Sequence, residues 1–183
     1  MQEWGPLAAL AGTWAGDGGL DVAFHNAKGE VLKTPYMEKL TMKPFGPVDN
    51  GTQHLYGLDY RMAAWRTNVE EENPFHTEVG YWLWDGETGE IMRCFMVARG
   101  STVLAGGIAE AGDTSFTMEA TCGNEVYGIL SNKYLDEKAK TKKFTCTVTV
   151  NGDTWSYDET TSYTHAIGGD IAHTDRNTLR RVG

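Results

Sequence analysis

Between residues 31 and 43 apolar and charged side chains alternate, with Leu32, Tyr36, Leu40 and Met42 on one side and Lys33, Lys39 and Lys43 on the other. A period of two belongs to a strand with one face against a core and one against water. The pattern returns over residues 52–65, where His54, Tyr56, Leu58, Tyr60 and Met62 share a face. Over residues 144–150, Phe144, Cys146, Val148 and Val150 alternate with threonines, and over 154–165 Trp155, Tyr157, Tyr163 and His165 fall together. Turn signals separate the runs: a Pro and Gly cluster over 44–51, Asn73-Pro74, Asp85-Gly86-Glu87-Thr88-Gly89, Arg99-Gly100-Ser101 and Asn151-Gly152. The only helical signal is one short turn over residues 6–10, where Pro6 needs no N–H partner. About ten short strands joined by turns predict an all-β fold, a ten-stranded up-and-down antiparallel β-barrel, with a sandwich as the alternative. The 183 residues suffice for one such domain, taken as residues 1–183.

Leu32, Tyr36, Leu40, Met42, Phe144, Cys146, Val148, Trp155, Tyr157 and Tyr163 are expected to point inward, and Lys33 and Lys39 outward. Glu38 falls on the inward side, where a carboxylate needs a partner. Residues 75–84 are rich on both faces, one with Phe75, Val79, Tyr81 and Leu83, the other with His76, Glu78, Trp82 and Trp84, so periodicity leaves the inner face open. Residues 115–121 and 124–130 read as one strand bent at Gly123. Residues 21–29 read as a loop, residues 138–143 as a solvated basic run, and residues 168–173 as a loop before a short last strand over 177–182.

The run from Leu10 to Gly19 sets glycines around Trp14 and Asp17, which suits a strand that bends and carries one large apolar plug. Arg180 or Arg181 is expected to stack on Trp14, bringing the two ends of the chain together.

A net charge of -9 disfavours nucleic acid and anionic membrane surfaces as partners. No apolar run spans a bilayer, and residues 1–14 lack the basic start and long apolar stretch of a secretory signal, which gives a cytoplasmic expectation. Cys94, Cys122 and Cys146 are far apart and odd in number, as expected of reduced, mostly buried thiols. No Gly-rich phosphate loop, Gly-x-Ser-x-Gly elbow, His-Glu-x-x-His helix or Cys-x-x-Cys pair occurs. A small barrel encloses room for one ligand, so binding a flat or long apolar molecule is the default function.

Among the histidines, His173 stands where a barrel mouth is expected, near Tyr163. One rim imidazole can hold a haem iron, because the porphyrin supplies the equatorial nitrogens. The plain alternative is a histidine contacting solvent and Asp175.

Gly12-Thr13-Trp14-Ala15-Gly16-Asp17-Gly18 resembles the Gly-x-Trp-x-Gly-x-Gly signature of the nitrobindins, haem-binding β-barrels related in shape to fatty-acid-binding proteins. Phe75-His76-Thr77-Glu78-Val79-Gly80-Tyr81 is similar to a second family segment, and His173 followed by Leu179, Arg180, Arg181 and Val182 to a third. The resemblance covers nearly the whole chain. It implies haem b held non-covalently through one proximal histidine, His173, with His76 on the pocket's other side and Tyr163 where relatives carry a methionine. It also implies ferric haem that binds nitric oxide and isomerises peroxynitrite to nitrate, a neutral His173 leaving the sixth iron position free. His165 is the rival ligand. The sequence departs from the family in a longer loop after Gly18 and one extra residue between His173 and Val182. The other functions in view are a carrier of an apolar small molecule without haem, as in fatty-acid-binding proteins, and a barrel filled by its own aromatics, among them Trp82, Trp84, Trp155 and Tyr157.

Overall fold

The structure, a computed structural model, describes residues 2–182. A 3-10 segment, Gln2–Leu10, leads into eleven strands: β1 (Gly12–His25), β2 (Glu30–Asp49), β3 (His54–Arg66), β4 (His76–Asp85), β5 (Glu90–Val97), β6 (Ser101–Ile108), β7 (Ser115–Thr121), β8 (Ile129–Ser131), β9 (Ala139–Asn151), β10 (Thr154–His165) and β11 (Gly169–Arg181). Helix α1 (Lys133–Lys138) lies between β8 and β9 and is capped by Asn132, whose side chain accepts from Leu135 N at 2.9 Å. Among the described residues no helix is long and apolar enough to cross a membrane.

Every pairing is antiparallel. Strands β1 to β6 follow one another, β6 meets β7, β7 meets β9, β9 to β11 follow in order, and β11 returns to β1. That ring is a closed ten-stranded barrel, the fold expected from the alternation. The eleventh strand, β8, is a short piece that pairs with the far end of β6. The expected single bent strand over 115–121 and 124–130 is therefore two pieces against β6, separated by residues 122–128, whose backbone bonds run to Thr121 of β7, Leu104 of β6 and Lys142 of β9.

The inward register of β2 is as the alternation requires, with Tyr36, Leu40 and Met42 buried and Lys33, Lys39 and Lys43 exposed. In β4 the His76, Glu78, Trp82 and Trp84 face is inside, since Val79 and Tyr81 are 43% and 51% exposed. Asn151-Gly152 does turn the β9 to β10 hairpin, with Gly152 at φ 59. Of the thiols only Cys146 is buried; Cys94 is half-buried and Cys122 exposed, against the expectation that most are buried.

Two loops read from the sequence are strand. β1 runs on to His25, paired with β2 on one side and with β11 on the other. β11 begins at Gly169, so His173 stands within a strand rather than at its approach. Residues 21 and 22 pair with both β2 and β11, residues 23–25 with β2 and residues 169–173 with β10, and these pairings override the weak local β signal. The 3-10 segment likewise starts at Gln2 rather than Pro6.

Trp14 closes the barrel. It is 1% exposed, donates from Nε1 to Leu10 O at 2.7 Å, and meets Trp155 edge to face, which meets Trp82 in the same way. Such ring pairs add about 0.5–1.5 kcal/mol beyond the area they bury. Arg181, directly across from Trp14 in the β1 to β11 register, lies 4.3 Å from its ring and donates to Ala11 O at 2.6 Å. Gly12, at φ 142, leaves room for that guanidinium where a Cβ would strike Nη1. Arg181→Ala should therefore lower the unfolding free energy in urea by about 1–2 kcal/mol. Arg180→Ala, an exposed position, should change it by less than about 0.5 kcal/mol.

Candidate functional site

The barrel encloses a cavity of about 520 Å³. His76, Tyr163, His165 and His173, singled out by sequence, all line it, and so do five carboxylates and Arg93. The topology brings the carboxylates in from five strands: Asp21 on β1, Glu38 on β2, Glu78 on β4, Glu159 on β10 and Asp175 on β11.

Arg93 is 3% exposed. It donates to Glu78 Oε2 at 2.6 Å, to Glu159 Oε1 and to Tyr60 Oη at 3.3 Å, and its guanidinium lies 4.3 Å from the Phe95 ring. Glu78 also accepts from Tyr60 Oη at 2.9 Å and is 3.1 Å from His76 Nε2. Burial opposes charge on Glu78, but the Arg93 cation and the His76 and Tyr60 bonds hold its carboxyl below the usual range; Glu159, where burial prevails, is raised. Removing one partner from a buried network of this kind typically costs about 3–5 kcal/mol, because an uncompensated charge stays behind.

A second network sits on the β2 side. Glu38 Oε1 accepts from Tyr157 Oη at 2.7 Å and from Asn177 Nδ2 at 2.8 Å, and Tyr36 and Tyr157 hydroxyls are 2.6 Å apart. The partner that Glu38 needs is thus a tyrosine and an amide, with no cation. Burial pushes the Glu38 carboxyl from 4.5 up to about 7 against those two hydrogen bonds.

At the wall formed by β1 and β11, His173 Nε2 is 2.6 Å from Asp21 Oδ1 and 2.9 Å from Asp175 Oδ2. The contact with Asp21 is a hydrogen bond, so that oxygen lies on the side of the nitrogen's proton or lone pair. Burial works against charge on the imidazole, but the bonds and charges of Asp175 and Asp21 outweigh it and raise its pKa to about 10. The surroundings of His173, two carboxylates on one imidazole nitrogen, favour its charged form. Asp175 is the contact foreseen in the plain alternative; Asp21 is not, because it was read as loop.

His165 is at the mouth, 8% exposed, where its Nδ1 accepts from the backbone N–H of Ile167 and Gly168 and its ring lies 4.4 Å from Phe24. Tyr163 neighbours it at 6.4 Å, half-buried, with its phenol raised by burial. His76 faces the cavity from β4, bonded to Glu78.

A barrel of this topology with one interior cavity is a ligand-binding fold. Residues 3–181 match the model of the family described as THAP4-like, heme-binding beta-barrel domain, and the chain belongs to that family, the nitrobindins. Among solved structures, Rv2717c from M. tuberculosis is similar in fold, with a TM-score of 0.65, 17% identity, and coverage of 97% of this chain and 95% of that one. No curated protein matches in sequence.

The residues present do not fit the group that the family's name implies. A haem iron held through Nε2 of His173 would take the place of Asp21 Oδ1 and displace both carboxylates from the imidazole N–H that now answers them, leaving them desolvated beside the porphyrin. Buried N–H groups of Trp82, Arg93 and Trp155 lack acceptors within the protein.

Because folded Glu38 keeps its proton to about pH 7 while an ordinary glutamate loses it near 4.5, the folded state binds more protons over that interval. Its contribution to stability is complete below 4.5 and is lost as pH rises through 7. Unfolding free energies measured from pH 4.5 to 8 should therefore fall less steeply in Glu38→Gln than in the unaltered protein.

Proposed function

We propose that this member of the family binds a small polar molecule in its cavity and not haem. The single observation that carries the reading is Asp21 Oδ1 hydrogen-bonded to His173 Nε2, with Asp175 beside it. The chemistry of the remaining wall supports it. Glu38 accepts both of its hydrogen bonds on Oε1, so Oε2 is left for a donor on a ligand. The aromatic rings of Trp155, Phe95 and Phe144 supply flat apolar walls beside these charges. A molecule with a cationic or N–H-bearing end and a flat body suits such a cavity, since burying carboxylates against a wholly apolar ligand leaves their solvation unreplaced.

Family membership favours a second reading, in which haem b is held through His173 beside His76 and Tyr163 and, when ferric, binds nitric oxide and converts peroxynitrite to nitrate. That reading requires His173 to give up its proton and both carboxylates. It also stands apart from a carrier of wholly apolar molecules, which the five interior carboxylates disfavour.

Titration of ferric haem into purified protein, followed in the Soret band, separates the two. On the proposed reading no stoichiometric complex forms and His173→Ala changes nothing. One equivalent of haem bound by the unaltered protein, with a spectrum lost in His173→Ala, would overturn it.

A further inference from the structure

The outside of the barrel differs from one side to the other. On β9 and β10 the outward residues are polar, among them Thr145, Thr147, Thr149, Ser156 and Asp158. On β4, β5 and β6 they are apolar and fall into cross-strand rows. Val79, Met96, Thr102 and Leu130 stand directly across from one another, and Tyr81, Cys94 and Leu104 form the next row. Between Met92 and Met96 on β5, and between Thr102 and Ile108 on β6, no outward position carries a charge. The segment after β7 extends the face: Tyr127 folds over Gly106, where a Cβ would strike its ring, and donates from Oη to Glu90, with Val126 exposed beside it.

Single exposed apolar residues are ordinary, but a contiguous face of them marks an interaction surface. Val79, Tyr81, Met96, Leu104, Ile108, Val126 and Leu130 are each between 39% and 76% exposed. Side chains of this size and exposure present on the order of 700 Å², more than the roughly 300–600 Å² of the largest patch on a typical monomer. That is close to the ~800 Å² that each partner contributes to a stable interface.

The charges identify the occupant. A basic partner is recognised by acidic side chains, and this face offers none. Two copies of a chain with net charge -9 repel over most of their surfaces, whereas an uncharged face lets them meet without burying unpaired charge. At the margin of the face, Arg61 is the cross-strand partner of Val79 and Asp59 that of Tyr81. A two-fold axis crossing the strands level with Gly80 lays the Val79 row on the Tyr81 row of the second copy and sets Arg61 of each copy against Asp59 of the other.

We infer that the outer face of β4, β5 and β6 is the interface of a two-fold homodimer. It lies on the opposite side of the sheet from the cavity and is independent of what the cavity holds.

Sedimentation velocity across micromolar concentrations tests this, and the unaltered protein should sediment as a dimer. Met96→Asp and Leu130→Asp should each weaken association at least about 30-fold, while Val31→Asp, at a 48% exposed position on the outside of β2, should not. Arg61→Glu and Asp59→Arg should each weaken the dimer, and the two together should restore it. Circular dichroism of each variant checks that the barrel is intact. A monomer in the unaltered protein, or a dimer of unchanged affinity in folded Met96→Asp and Leu130→Asp, would overturn the interface. Failure of the paired charge exchange to restore the dimer would overturn its two-fold arrangement.

Discussion

A closed barrel sends every second side chain of every strand into one shared interior, and no inward group can escape to solvent at a sheet edge. An inward carboxylate therefore finds its partner among the other inward side chains, on its own strand or on another. The interior of this barrel follows from that constraint. Arg93 on β5 reaches Glu78 on the neighbouring β4 and Glu159 on β10. Glu38 on β2 reaches Tyr157 on β10 and Asn177 on β11. Asp21 and Asp175, side by side on β1 and β11, converge on His173. The same strands that close the ring through Trp14 and Arg181 thus build the wall of the cavity.

Within one family fold, the chemistry of the cavity is set by which inward positions are polar. On the proposed reading, the groups around the nitrogen of His173 decide what it can hold. Here Asp21 and Asp175 both meet the imidazole and favour its charged form. The neighbouring aromatics keep the rest of the cavity apolar and flat, so the interior combines recognition of shape with recognition of charge.

Most of the barrel was legible from alternation, since Tyr36, Leu40 and Met42 against Lys33 and Lys39 leave one possible register for β2. Arg93 was legible too, sharing parity with Ile91 and Phe95, but an arginine rarely lies buried and it passed unremarked. Glu159 has the parity of Trp155 and Tyr157 for the same reason. Asp21 was hidden by a different cause. The register of β1 shifts between Gly16 and Gly19, so Trp14 at an even position and Asp21 at an odd one both face inward, and counting by two from Trp14 puts Asp21 outside. Its meeting with His173 depends on pairing between the two ends of the chain, and no local pattern records that distance.

The most direct test of this cavity's character is the protonation state of His173 in the metal-free protein, read from the imidazole nitrogen resonances in a two-bond proton–nitrogen spectrum at pH 8.5. With Asp21 and Asp175 raising its pKa to about 10, His173 should carry protons on both ring nitrogens and revert to the ordinary pattern in Asp21→Asn with Asp175→Asn. A neutral ring in the unaltered protein at that pH, with one nitrogen unprotonated and free to take iron, would contradict the account.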